Sequence, residues 1–320
     1  MRAFRSLAEV PADLGRSVVT IGNFDGVHAG HREILRRVAE IGRERGLVPV
    51  VLTFDPHPAR VLAPAKAPRL ITTVAQRLRR IAAEGITETL LLPFSLELAQ
   101  LTPEEFVRSV LVETLHVALV LVGADFRFGH RQAGDLTTLR ALGVKYGFEV
   151  ESAGAILRRG ERVSSTGIRA MVEAGRASLA CRTMGEPFAL EGPVVKGHGI
   201  GSKQTVPTLN LAPENDLLPA NGVYVTRTRD LDPVAAREWR SITNVGHRPT
   251  FDGQELSFET FLLDPFDGNA PQRIEVQFLK FVREERKFGS PETLRAQILR
   301  DVRLARRLHA RLARLPRHGV

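Results

Sequence analysis

VVTIGNFDGVHAGH, residues Val18 to His31, decides the fold of the first half of this chain. An apolar strand runs into a Gly-containing turn, and His28-Ala29-Gly30-His31 then opens a helix. The following segment places Ile34, Leu35, Val38 and Ile41 at helical spacing and stops near Gly46, so both histidines belong to the helix's N-terminal end. Three residues apart, they share one face. A helix N-terminus offers unpaired N–H groups and partial positive charge, and Gly26 and Gly30 let backbone approach a ligand closely. The stretch Gly22, Phe24, Asp25, Gly26 and Gly30 is therefore a candidate nucleotide-phosphate turn, with His28 and His31 as candidate donors to charge building on a phosphorus centre. The competing reading is that the two histidines merely cap a surface helix.

Outward from this stretch, apolar runs alternate with helical patterns. VVTIG, VPVVLTF, TLLLPF, VALVLVG and FEVESAG are strand candidates, separated by helix candidates near 31–45, 74–84, 103–115 and 135–146. That alternation predicts an α/β domain with a parallel sheet covered by helices on both faces. Ligands of such sheets bind beyond the carboxyl ends of the strands, and the chemistry-bearing motifs cluster there. The His tetrad follows the first strand, TFDPHP with His57 the second, and GADFRFG with Asp125, Phe126, Arg127 and Phe128 the fourth. Phe126 and Phe128 are read equally as a stacking platform for a flat ligand and as core contacts. After a hairpin-like stretch at GERV comes SSTGIR, in which one of Ser164, Ser165 and Thr166 is an N-cap candidate and Arg169 a phosphate ligand candidate. The chemistry these groups imply is nucleotidyl transfer, in which an anionic oxygen attacks the α-phosphorus of a nucleoside triphosphate and pyrophosphate leaves. Such a step needs positioning, a divalent cation and donors, but no protein nucleophile.

Composition bounds the alternatives. The chain has 320 residues, 43% of them hydrophobic and 25% charged, enough for two domains with sizeable cores. No window approaches the roughly 20 apolar residues of a membrane span, and the first residues lack a signal-peptide core, so a cytoplasmic location and no membrane partner are expected. One cysteine, Cys181, excludes an internal disulfide and a multi-cysteine zinc site, leaving a hard metal as the expectation. The net charge of +9 invites a nucleic-acid reading. Its basic residues are spread along the chain, however, and the Arg-rich segment 295–317 carries a buried-type stripe of Leu299, Val302, Leu304 and Leu308, so nucleic acid is not expected as a partner.

Near Gly185 to Pro187 the pattern changes to short strands divided by turns, FALEGPVV, GVYVTRTRD, WRSITNVG, LSFETFLL and RIEVQFLKFV, followed by one long amphipathic helix. This spacing predicts a small antiparallel barrel with a terminal helix, and domains at 1–185 and 186–320. Residues 197–210, GHGIGSKQTVPTLN, form a Gly-containing loop in which Lys196, Gly197 and Lys203 are candidate phosphate contacts. Thr208 and Asn210, two apart on an extended segment, offer a hydroxyl and an amide oxygen on one side, a pair suited to Mg²⁺. Glu259, a carboxylate within an apolar strand, is either ion-paired or a general base.

Eight segments, TIGNFDGVHAGH, TFDPHP, GADFRFG, SSTGIR, VPTLN, NVGHRPTF, REERKF and AQILRD, stand in the order found in the bacterial bifunctional riboflavin kinase/FMN adenylyltransferases, or FAD synthetases, which the chain resembles from about Val18 to Asp301. The resemblance implies a Rossmann-like adenylyltransferase followed by a six-stranded riboflavin kinase barrel, with ATP as co-substrate and riboflavin, FMN and FAD as substrates and products. It assigns His28 and His31 to ATP, and Ser164, Thr166 and Arg169 to a second phosphate motif. Asp125, Phe126 and Phe128 fall to the flavin and adenylyl site, Thr208 and Asn210 to the Mg²⁺–nucleotide pair, and Glu259 to the base acting on the ribityl hydroxyl. The chain departs from the family pattern at Glu186, at Gly201 to Val206 and at Ala270-Pro271, all in the kinase half. Small-molecule substrates and a monomer or weak homo-oligomer complete the expectation.

Overall fold

The computed structural model describes residues 1–154, 157–158, 161–195, 208–232, 237–250, 253–265, 269–286 and 288–314. They form two compact units, Met1–Ser165 and Thr166–Val320.

In the first unit the elements run β1 (Arg2–Phe4), β2 (Ser17–Ile21), α1 (Ala29–Arg45), β3 (Val48–Phe54), α2 (Pro58–Leu62), α3 (Val74–Ala83), β4 (Glu88–Leu92), α4 (Leu96–Gln100), α5 (Pro103–Phe106), β5 (Val117–Gly123), α6 (Leu136–Tyr146) and β6 (Glu149–Ala153). The six strands are parallel, in the order β1-β4-β3-β2-β5-β6. Every residue of β2 is buried, and alternate residues enter different cores. Val19 and Ile21 join Val50, Leu52, Phe106, Leu111 and Leu139 on one face, whereas Val18 joins Val51, Leu119, Leu35, Val38, Ile41 and Ile81 on the other. Burial on both faces explains why these strands are apolar throughout. The chain proceeds from β2 outward to β3 and β4, then returns to β5 on β2's other side, so the strand order reverses at the carboxyl ends of β2 and β5. Such a reversal opens a crevice where ligands bind.

The expected helix at 103–115 is α5 followed by a π-helical stretch, Val107–Thr114, in which the Thr114 hydroxyl donates to Ser109 O at 2.7 Å. The short strand β1, paired with β4, has no counterpart in the sequence reading. The hairpin expected at GERV is β7 (Leu157–Arg158) with β8 (Glu161–Arg162).

α7 (Ser165–Glu173) and α8 (Ala177–Met184) lead into β9 (Phe188–Val195), β10 (Thr208–Leu211), β11 (Gly222–Asp230), β12 (Glu238–Thr250), β13 (Gly253–Leu262), β14 (Arg273–Arg283) and α9 (Pro291–Arg314). The contact division at Ser165/Thr166 precedes the 185/186 boundary read from the sequence because α8 lies against the barrel, where Ser178 Oγ donates to Leu279 O at 3.0 Å. The six strands close as β10-β13-β12-β11-β14-β9. Val223, Val225, Ile242 and Leu263 pack beneath Ala305, Val302 and Leu308 of α9, on the barrel's outside. The opposite, interior face carries a chain of buried hydroxyls: Thr228 to Ser241, Ser241 to Thr226 and Thr226 to Thr243, each 2.8 Å, then Thr243 to Thr260 at 3.0 Å. The three middle hydroxyls, Ser241, Thr226 and Thr243, each have two partners, so one can donate and accept, while Thr228 and Thr260 close the ends with one bond each.

Candidate active sites

The turn after β2 is held in an unusual shape. Phe24 and Val27 adopt φ of 48° and 40°, and Gly26 lies between them at 84°. Left-handed backbone at a non-glycine residue costs roughly 1–3 kcal/mol and persists only where the surroundings impose it. Here the buried Asp25 does so: its Oδ1 accepts from Ile71 N at 2.9 Å and Thr72 N at 3.3 Å, while Gly26 N donates to Thr72 Oγ1 at 3.2 Å. The Asp25 carboxylate thus fastens the turn to the start of the α3 region, a structural duty that the nucleotide-binding expectation did not include.

His28 is the N-cap of α1, its Nδ1 accepting from His31 N at 3.3 Å. An accepting Nδ1 in a neutral ring places the proton on Nε2, so capping leaves His28 a donor. The two imidazoles stack at 3.6 Å between centroids and 12° between planes, and the rings of Phe24 and His31 meet in a T-shaped contact with centroids 5.1 Å apart. Burial lowers His28 to about 4. Burial and then the neighbouring His28 take His31 well below the ordinary histidine value, and its buried Nδ1 has no hydrogen-bond partner. Burial thus favours the neutral form of both rings at pH 7, in which each offers an N–H donor and no positive charge.

The other first-unit motifs lie at the ends of the strands flanking β2. His57 caps α2 through Nδ1, which accepts from Ala59 N at 3.1 Å. Beyond β5, Asp125 and Arg127 are exposed, with Arg127 3.5 Å from Asp135. Phe126 stacks on Phe128 at 5.4 Å, and Phe128 is a core residue against Phe106. Of the two readings of this pair, Phe128 takes the packing one, and the half-buried Phe126 covers it. Ser164 directly precedes α7, and Ser165 Oγ, still in the first unit, donates to Asp25 O at 3.0 Å in the turn after β2. Thr166 and Arg169 lie on α7 in the second unit.

In the barrel, Leu209 and Leu211 are buried while Thr208 and Asn210 lie on the other face of β10. The register sets Asn210 opposite Glu259 of β13, and Glu259 opposite Asn244 of β12. Directly opposed residues share a face with Cβ atoms about 4.5–5.5 Å apart. A carboxylate flanked by two carboxamides therefore runs across three strands, with the Thr208 hydroxyl one step along. Glu285, on the segment after β14, accepts from His247 N at 3.4 Å beside this row. Lys196, Gly197 and Lys203, with the rest of 196–207, lie outside the described residues.

Comparison with known proteins matches residues 10–167 to the FAD synthetase family and residues 184–309 to the riboflavin kinase family. The Escherichia coli K12 protein named bifunctional riboflavin kinase/FMN adenylyltransferase is 36% identical over 306 residues, 96% of either chain. The chain belongs to this bifunctional family. The Pseudomonas fluorescens protein of the same name is 36% identical over 311 residues, covering 97% of this chain and 98% of its own. A crystal structure of a Streptococcus pneumoniae protein described as a macrolide-efflux protein superposes with a TM-score of 0.83 at 28% identity, covering 95% of this chain and 98% of that one. Among the described residues of the present chain, no helix is long and apolar enough to cross a membrane.

Sequence reasoning passed over three groups that lie beside these candidate residues. Asn244 was quoted within NVGHRPTF without a role, because only the register shows it opposite Glu259. Glu285 lies in REERKF, a charged run that reads as solvated surface. Arg77 and Arg80 bind the turn's carbonyls from α3, and the detectable signal was an Arg four residues before Ile81 on the buried helix face.

Proposed function

We propose that the second unit phosphorylates riboflavin with ATP, giving FMN and ADP, and that the first unit transfers the adenylyl group of a second ATP to FMN, giving FAD and pyrophosphate. The stacked His28–His31 pair at the reversal point of the sheet carries this reading. His28 Nε2–H and His31 donate to the α-phosphate oxygens as charge builds in the transition state, and the neutral rings do so without drawing protons from the nucleotide. Gly22, Phe24, Gly26 and Gly30 shape the turn, and Ser164, Thr166 and Arg169 take the departing β- and γ-phosphates. His57, Asp125, Phe126 and Arg127 border the flavin, with Phe128 supporting Phe126 from the core. The FMN phosphate is already anionic, so this step needs no base.

The riboflavin hydroxyl does need one. Glu259 accepts its proton as the oxygen attacks the γ-phosphorus, and Asn210 and Asn244 on either side orient the carboxylate and the substrate. Thr208 and Asn210 present hard oxygen donors on one face, a set that fits Mg²⁺ shared with nucleotide phosphates. When bound, the ion neutralises phosphate charge. Lys196, Gly197 and Lys203 cover the phosphates, so the departures between 201 and 206 tune nucleotide affinity while Thr208, Asn210 and Glu259 retain the chemistry. The functional boundary falls at 185/186, and the protein works in the cytoplasm as a monomer or weak homo-oligomer, without nucleic-acid or membrane partners.

Chromatographic separation of flavins after incubation with ATP and Mg²⁺, starting from riboflavin and in parallel from FMN, tests the reading. FAD from both substrates is expected. FAD from FMN alone would reduce the barrel to a binding module, and no FAD from either would overturn the reading of the His pair.

A further inference from the structure

α3 turns two arginines toward the ends of β2 and β3. The guanidinium of Arg77 donates through Nη1 to Asn23 O at 3.0 Å and through Nη2 to Phe54 O at 3.1 Å. Asn23 opens the turn that leads to His28, and Phe54 ends the strand that leads to His57. One planar fork therefore ties together the backbones of two ligand-bearing loops, a geometry a guanidinium matches and an ammonium does not. Thr53 Oγ1 also donates to Asn23 O, at 3.1 Å, and Arg80 Nη1 donates to Gly26 O at 3.1 Å, so three side chains hold the turn from behind.

Arg77 is only 4% exposed, and its buried Nε has no hydrogen-bond partner. Burying a guanidinium with one donor unsatisfied is unfavourable, and replacing it with an apolar residue would be the ordinary solution in a core. Burial lowers its pKa, whereas the carboxylates of Asp55 and Asp25 act in the opposite direction and favour the charged form. Those two carboxylates sit in the segments that bear His57 and His28. Arg77 therefore sets a positive charge near both carboxylates, behind a turn built for phosphates.

We infer that Arg77 is a positioning residue for adenylyl transfer, bridging the β2 and β3 loops and offsetting the Asp25 and Asp55 charge behind the nucleotide's phosphates. The inference rests on the adenylyltransferase reading of the first unit and adds to it two separable contributions. The charge acts on ATP binding, and the two-carbonyl bridge acts on the alignment of His28 with the reacting phosphorus.

The test compares Arg77→Lys and Arg77→Gln with the wild-type chain in steady-state conversion of FMN to FAD, varying ATP, with thermal unfolding as a fold control. Arg77→Gln should raise the KM for ATP by about tenfold or more and lower kcat as well. Arg77→Lys keeps the charge and loses the fork, so its KM for ATP should stay within about threefold of wild type while kcat falls by about tenfold. If Arg77→Gln does not fold, the KM-against-kcat split of Arg77→Lys decides alone. Wild-type KM and kcat in Arg77→Lys, or a rise in its KM equal to the fall in its kcat, would overturn the proposal. A wild-type chain that makes no FAD from FMN would instead sink the adenylyltransferase reading on which it rests.

Discussion

Replacing His28 by asparagine separates the two tasks that the ring performs. Asparagine is a good N-cap, so α1 keeps its first-turn bond, and the cost in stability at pH 7.5 is that of the lost ring stack, about 1–2 kcal/mol. The ring's protonation behaviour is lost. His28 is lowered from 6.5 to about 4 by burial, so between those values the unfolded chain takes up a proton that the folded chain refuses. Stability from this residue is complete above pH 6.5 and declines as pH falls, by roughly 3 kcal/mol in all once pH reaches about 4. At pH 5.5 the loss from His28 amounts to about 1.4 kcal/mol. Urea unfolding of the first unit, followed at pH 7.5 and 5.5, should show the wild type losing about that much more than His28→Asn. His31, lowered in the same direction, leaves a residual slope in both proteins. In the flavin assay the variant should lose FAD formation by about 10²–10³ in kcat, the usual cost of one transition-state donor, while FMN formation from riboflavin continues. Parallel acid sensitivity in the two proteins would refute the neutral, buried ring. Near-normal FAD formation would refute its role as donor.

Other substitutions report on the remaining parts. Glu259→Gln should abolish FMN formation from riboflavin yet leave FAD formation from supplied FMN intact, and loss of both in a folded protein would rule out independent sites. Asp25→Ala strands the Ile71 and Thr72 N–H groups and should destabilise the first unit by about 2–4 kcal/mol in denaturant unfolding. An unchanged midpoint would mean that the turn is held by other bonds. Thr243→Val breaks the interior chain at a residue bonded to both Thr226 and Thr260, and should cost the barrel about 1–3 kcal/mol by thermal unfolding.

The first unit was legible because its strands β2 to β5 are largely buried and apolar and its helices carry clear stripes, so pattern alone located five of the strands and the turn between β2 and α1. β1 escaped because Arg2–Phe4 is too short to show a period, and its place beside β4 depends on pairing. The barrel's strands were visible, but which face is interior was not. Val223, Val225 and Ile242 look like core and lie outside under α9, whereas Thr226, Thr228, Ser241, Thr243 and Thr260 look solvated and lie within. The alternation rule assigns faces by polarity, and a row of mutually bonded hydroxyls set among buried Tyr224, Val245 and Phe258 inverts it locally. Sequence also proposed His28, Asn210 and Glu259 without their geometry. The capping bond that fixes the His28 tautomer and the register that sets Glu259 between two carboxamides are three-dimensional facts. Arg77 stayed hidden because an arginine on a helix is ordinarily a surface residue, and only the carbonyls at the ends of β2 and β3 show what it is for.

The hydroxyl chain inside the barrel constrains how this half of the protein can diverge. Each interior link joins a residue on one strand to a residue on its neighbour, so changing Thr226, Ser241 or Thr243 to an apolar residue strands groups on two others at once. Single drift at these positions is penalised, whereas simultaneous exchange of bonded partners for complementary apolar shapes is tolerated. Related barrels should accordingly show these positions changing in concert, with intermediates one residue away from either solution rarely surviving. The interior would then record the lineage's history in correlated steps, while the outer face beneath α9 accumulates ordinary one-at-a-time aliphatic exchanges.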